Sequence, residues 1–258
     1  MKTTRTLSIL LLILSVFLLS ACKSNDPAKV YPEMIRVYSE SKGRELAYDC
    51  SVKISDGSRT AEYTLNGEVL VRQEEDEVSI AQRGDIRVSL DGGSMAPIPV
   101  KAFYHDGTLY SEINDTRYRK AMDLEAAMTQ MGPISTPVIN LDVDDFKELT
   151  LKENESDGTR TISVMISADS IKKIVGLEES WRRIASFGNT KGQVEFKDVR
   201  GYFILKDEVP VKQGLTIIGT IKDGSRTLSI TEELVLGITL NDAVVVAEPA
   251  ADQYTAIK

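Results

Sequence analysis

Tyr48-Asp49-Cys50-Ser51-Val52-Lys53-Ile54-Ser55-Asp56-Gly57-Ser58-Arg59-Thr60-Ala61-Glu62-Tyr63-Thr64-Leu65 is the stretch that decides the fold. Apolar and polar residues alternate on both sides of Asp56-Gly57. Asp-Gly between such runs favours a two-residue hairpin turn, because both central residues of a type I′ turn need positive φ. A turn there sets Val52 opposite Ala61, Cys50 opposite Tyr63 and Tyr48 opposite Leu65. Lys53 then meets Thr60, Ser51 meets Glu62 and Asp49 meets Thr64. One face is apolar and the other polar, as an antiparallel pair with one wet face requires.

The turn recurs. Asp-Gly-Ser/Thr-Arg-Thr stands at 56–60, 157–161 and 223–227, and a fourth Asp-Gly at Asp106-Gly107. Two-residue turns would set Leu151 opposite Val164 and Leu149 opposite Ile166. They would also pair Val100 with Ile113, Lys101 with Glu112, Ile217 with Ile230 and Gly219 with Leu228. More alternating runs lie at 69–71, 78–80, 86–90, 194–199, 202–205 and 234–246, with Arg83-Gly84-Asp85 read as another turn. A sheet this large curls. The expected fold is mainly β (α+β): a large curled antiparallel sheet, an incomplete β-barrel, with an N-terminal helix and short helices packed on its concave face.

Three segments read as helical. Pro32 suits a first turn, and 32–42 carries Met34, Val37 and Tyr38 near one face. Asp123 can cap a helix bearing Leu124, Ala127, Met128 and Met131. Residues 168–187 read as two short helices broken at Gly176, the second presenting Leu177, Trp181, Ile184 and Ala185 on one side. A single domain is expected over 32–258, with 133–137 as its one plausible seam.

The N-terminus gives an address. Lys2 and Arg5 precede an apolar run at 7–19, the pattern of an export signal over residues 1–21. The run is too short to span a bilayer as a helix, which takes about 20 residues. Leu19-Ser20-Ala21-Cys22 resembles the lipobox of bacterial lipoproteins, whose cysteine is lipidated and becomes the new N-terminus. The resemblance implies a lipid anchor on Cys22, a tether over 22–31 and a place in the cell envelope on the extracytoplasmic face. The whole chain carries 31 basic and 39 acidic residues. Without Lys2 and Arg5 the remainder is at 29 − 39 = −10. Such a charge disfavours nucleic acid and any basic-patch attachment to anionic lipid. With Cys22 alkylated, Cys50 has no partner for a disulfide, and it reads as a small buried apolar residue.

No constellation for catalysis stands out. His105 is the one histidine, and the sequence nominates neither a nucleophile nor an orienting acid for it. There is no Cys-x-x-Cys and no EF-hand loop, so no metal or cofactor is expected; Asp142-Val143-Asp144-Asp145 lacks the glycine and the closing glutamate. Glu74–Glu77 reads as a solvated turn. In these registers Arg59 faces Ile54 and Arg226 faces Ile221, beside turns at the end of the apolar face, and Arg160 pairs with Glu155 at the equivalent place. Their stems can snorkel over the rim, or they can form a cationic lip for an anionic head group. Met122, Leu124, Met128, Met131, Leu177, Trp181 and Ile184 face a similar choice, between core and the lining of a hollow for a flexible acyl chain.

Lipobox, short tether, N-terminal helix, long meander and helices set between strands together resemble the LolA/LolB/LprG-like group. Tyr104-His105-Asp106-Gly107-Thr108-Leu109-Tyr110 is similar to a recurring hairpin of that group, and 244–249 with Asp252 and Tyr254 to its last strand and tail. The resemblance implies a half-barrel that binds acyl chains or lipoproteins. Cys22 would make it a membrane-bound acceptor, holder or sensor rather than a shuttle. A second hypothesis is an envelope protein–protein interaction module with a filled core and no cavity. An enzyme is disfavoured.

Overall fold

The computed structural model describes residues 24–75, 77–131, 141–167, 169–174, 177–186, 192–224 and 226–257, with the backbone alone at 183–186 and 223. The signal at 1–21, Cys22 and the seam at 133–137 lie outside the described residues. In chain order the strands are β1 (Gly43–Ser55), β2 (Thr60–Glu74), β3 (Glu77–Leu90), β4 (Gly93–Ser94), β5 (Ile98–His105), β6 (Thr108–Ile113) and β7 (Thr116–Ala121). They continue with β8 (Phe146–Asn154), β9 (Thr159–Ile166), β10 (Gln193–Lys206), β11 (Val209–Asp223), β12 (Arg226–Leu240) and β13 (Thr255–Ala256). The helices are α1 (Pro27–Glu40), α2 (Leu124–Met131) and α3 (Leu177–Ser186).

All strands join one sheet in the order β13-β7-β6-β5-β3-β2-β1-β12-β11-β10-β9-β8, with β4 beside β3. The pairing of β1 with β12, from Arg44 opposite Leu240 to Ser55 opposite Ser229, joins the first meander to the last. The outer strands β8 and β13 do not pair, so the curled sheet stays an incomplete barrel, as expected.

The faces of the hairpins are as expected; three registers are not. At Asp106-Gly107 both residues have positive φ, Val100 faces Ile113, and Lys101 Nζ lies 2.8 Å from Glu112 Oε1. At Asp56 the strands resume only at Thr60, so Val52 faces Tyr63 and Cys50 faces Leu65. The loop is wider because Asp56 Oδ1 accepts hydrogen bonds from the backbone N–H of Ser58 and Arg59 and from the Ser58 hydroxyl. Asp157 does the same with Thr159, and Leu151 faces Ile162 while Leu149 faces Val164. At the last hairpin Asp223 is still in the ladder opposite Arg226, so Ile221 faces Leu228 and Gly219 faces Ile230. Each correction moves the partner by two residues, which leaves every side chain on its face.

Arg83-Gly84-Asp85 is no turn: it runs through the middle of β3, where Gly84 pairs with Gly67. A Cβ on Gly84 would stand 2.4 Å from the Tyr48 hydroxyl, and one on Gly67 2.6 Å from it. The glycines serve close approach, giving Tyr48 of β1 a bare floor. The expected strand at the tail is also absent: β12 stops at Leu240 and 244–250 has no regular structure.

α1 begins at Pro27, earlier than the expected Pro32, because Asp26 caps it by accepting the Ala28 N–H at 3.0 Å. Val30, Tyr31 and Met34 pack on Ile162 and Val164 of β9 and Phe203 and Leu205 of β10. Its last turn is held by Arg44 of β1, which donates to the carbonyl of Tyr38 and stacks its guanidinium 4.6 Å from that ring. Just before its first turn lies Arg160 of β9, only 3% exposed, whose guanidinium donates to the carbonyl of Ser24 and pairs with Glu208 at 2.5 Å. β1 and β9 both start at the same end of the sheet. α1 therefore enters and leaves at that end and crosses the strands there.

Candidate functional site

The concave face is apolar along nearly its whole length, and the described helices cover it only in part. On β1 and β12 the row Leu46, Tyr48, Cys50, Val52, Leu234, Leu236 and Ile238 is buried. Its cover is α2 and α3: Ala127, Met131, Leu177 and Trp181 belong to the same core. α2 starts where Asp123 Oδ1 accepts the Ala126 N–H at 2.8 Å, and α3 follows a 3-10 turn at Ser170–Lys173. Asp142-Val143-Asp144-Asp145 is part of this scaffold: Asp145 Oδ1 accepts from Ser170 at 2.8 Å and from Lys173 at 2.6 Å.

On β2, β3, β5 and β6 the cover ends partway. Val69, Ile80, Tyr104 and Leu109 are buried near the α1 end. Towards the far end, Leu65, Ile86, Val88 and Val100 are only half-buried, while Leu90 is 50% and Ile113 43% exposed. Met95, on the segment between β4 and β5, is 55% exposed. Between covered and uncovered parts lies a hollow of about 150 Å³ lined by Leu65, Gln82, Ile86, Val100, Leu109 and Met131, among others. Ligand pockets for drug-sized molecules run from about 300 Å³. The described hollow suits a chain segment, not a whole lipid, and the exposed strip continues from it.

Two polar groups at its floor hold each other. Gln82 Nε2 donates to the Tyr48 hydroxyl at 3.4 Å, and that hydroxyl donates to the Arg83 carbonyl at 3.3 Å. Burial pushes the Tyr48 phenol up from its ordinary value. Two wider depressions lie elsewhere: about 310 Å³ over Gly201 and Gly214 on the convex face, and about 330 Å³ beside Asp242. Both are open to solvent and mixed in lining.

One buried acid sits under α3. Glu232 of β12 is 1% exposed and accepts the Trp181 indole N–H at 2.5 Å through Oε2. Burial pushes its carboxyl up to about 7, against the smaller pull of the indole N–H. The Trp181 ring lies on Gly219, where a Cβ would stand 2.8 Å from it, and beside Phe196. Burial, with Glu232 nearby, also pushes the Cys50 thiol far up. No group of three or more His, Cys, Asp or Glu side chains able to hold a metal occurs among the described residues.

The residues singled out from the sequence divide. Met131 lines the hollow, and Leu177 and Trp181 are buried core. Met122, Leu124 and Met128 are half-buried against that core, and the side chain of Ile184 lies outside the described residues. Arg59 falls in the four-residue loop, exposed, not opposite Ile54. Arg226 opposes Asp223 rather than Ile221 and pairs with Asp56 at 3.4 Å. Arg160 opposes Glu153, not Glu155, and is buried. The floor residues Leu65, Ile86 and Val100, half-buried, and Ile113, exposed, are only strand positions in the sequence. Their alternation was visible; their lack of cover was not.

No family model matches the chain, and none of the curated proteins matches it. Among solved structures it is similar to LprF from Mycobacterium bovis, with TM-score 0.48 and 8% identity over 88% of this chain and 97% of that one. It is also similar to the Mycobacterium tuberculosis lipoprotein LppX, with TM-score 0.43 and 10% identity over 86% of this chain and 98% of that one. Lipovitellin, in a structure describing its lipid–protein interactions, gives TM-score 0.44 and 10% identity over 81% of this chain and 26% of that one.

Proposed function

We propose that this chain is a lipid-anchored extracytoplasmic protein of the cell envelope, held by Cys22, whose half-barrel holds one acyl chain of a lipid or of an acylated partner. The observation that carries the reading is the uncovered apolar strip Leu65–Ile86–Val88–Leu90–Val100–Ile113, which continues the core without its helices. An acyl chain laid on it gains about 0.8 kcal/mol for each methylene removed from water, so about ten methylenes are needed for a micromolar-range driving force before ordering costs, and about five or six give only a millimolar-range one. No chemistry beyond burial is required by this reading.

The test is native mass spectrometry of the chain lacking residues 1–21 and carrying Cys22→Ala, with phospholipid and fatty acid offered. Bound acyl mass is expected in the parent and not in Val100→Glu or Ile86→Glu. Empty parent protein would sink the acyl reading and favour the interaction module. In cells, Cys22→Ala is expected to move the full chain from membrane to soluble fractions; retention in the membrane would sink the anchor.

A further inference from the structure

The anchor and the exposed end of the apolar strip that continues the hollow lie towards opposite ends of the sheet. Arg160 grips the Ser24 carbonyl where β9 begins, beside the β10–β11 turn at Asp207-Glu208. Ser24 is two residues from Cys22, a slack of about 7 Å. The exposed strip that runs on from the hollow ends at Leu90, Met95 and Ile113, at the far ends of β3 and β6, on the side of the β1–β2 turn, and of these Ile113 also lines the hollow. β1, running from one end to the other, has 13 residues, which spans about 40 Å. The near end is also the one that α1 closes.

We propose that the anchored domain stands on its membrane with the α1 end down and the mouth of the hollow facing away, so that its acyl ligand arrives from a donor across the aqueous space and not from the leaflet beneath. This rests on the reading of Cys22 as anchor and of the strip as acyl site. The slack is several times shorter than the domain, so the gripped end cannot leave the surface. Lying flat would bring the sides of a domain of charge −10 against the head groups, which an anionic leaflet resists. The lower end carries both signs, with Glu155, Asp157 and Asp207 beside Lys206, so it is the tether and Arg160, not net charge, that hold it there. Arg160 is built for this: a buried guanidinium needs its partners, and Glu208 and the Ser24 carbonyl are two of them.

The experiment uses the full chain, processed in a bacterial host and reconstituted in phosphatidylcholine–phosphatidylglycerol vesicles carrying a head-group energy acceptor. A donor dye is placed at Ser156→Cys, in the lower β8–β9 turn, or at Ser58→Cys, in the upper β1–β2 turn. Cys50 is buried and stays unlabelled. Quenching several-fold stronger at 156 than at 58 is expected, and Arg160→Met is expected to shrink that ratio. Equal or reversed quenching in the parent overturns the orientation, and a ratio untouched by Arg160→Met removes Arg160 as its cause. Flotation and fluorescent fatty-acid binding are measured on the same vesicles. A chain that fails to float refutes the anchor, and one that floats but binds no fatty acid refutes the acyl site. One that does both with 58 nearest refutes the orientation alone.

Discussion

Replacing Glu232 by Gln isolates the one buried acid beneath α3. In the unfolded chain its carboxyl titrates near 4.5, and in the fold near 7. Between those values the folded chain binds more protons than the unfolded one. The contribution of Glu232 is therefore full below about 4.5, falls as pH rises towards 7 and is gone above it. Some two and a half units at about 1.4 kcal/mol each make roughly 3 kcal/mol. Asp56, Asp157 and Asp242, whose carboxyls accept backbone N–H bonds, are held below the usual range. Their contribution has the opposite sign, being present at neutral pH and lost in acid, below the window of Glu232. Glutamine keeps an acceptor for the Trp181 N–H but does not titrate. The assay is urea unfolding at pH 5 and pH 8, followed by the fluorescence of Trp181, the one tryptophan. The parent is expected to lose stability between these pH values by most of that 3 kcal/mol relative to Glu232→Gln. Equal pH dependence in the two proteins would refute the reasoning, since it would mean that Glu232 ionises alike in both states.

Gly84→Ala is expected to destabilise the fold by at least the 1–3 kcal/mol of an overpacked core, because the new methyl meets the Tyr48 hydroxyl at 2.4 Å and the Asn66 carbonyl at 2.3 Å. Urea unfolding reads it, and an unchanged midpoint would contradict the role given to the glycine pair. Cys50, buried and with its thiol pushed far up, should react with a thiol reagent only at the rate of unfolding. Fast labelling in native buffer would mean that the concave face opens locally.

The faces of the sheet were legible because a two-residue period survives any even error of register. Val52 is a core residue whether it faces Ala61 or Tyr63. What alternation could not supply was loop length, which the Asp56 and Asp157 carboxylates widen by collecting N–H groups two and three residues ahead. Arg83-Gly84-Asp85 misled for a related reason. Glycine in a strand looks like a turn unless the aromatic ring above it is known, and Tyr48 stands 36 residues away in sequence.

The hollow shows a deeper limit. Val52 and Ile54 on β1 and Ile86 and Val88 on β3 carry the same alternation, and nothing local separates core from floor. The difference is where α2 and α3 land, which depends on contacts such as Trp181 with Glu232 and Gly219. The expected lining lay on the helices, but Leu177 and Trp181 are the plug, and Met131 alone of the described ones touches both plug and hollow. A carrier of this design needs both parts. Too much cover leaves no site, and too little leaves an apolar face that associates without discrimination. Floor substitutions such as Val100→Glu should therefore change binding with little change in stability, since Val100 is already half in water. Plug substitutions should do the reverse, because they uncover the buried rows of β1 and β12.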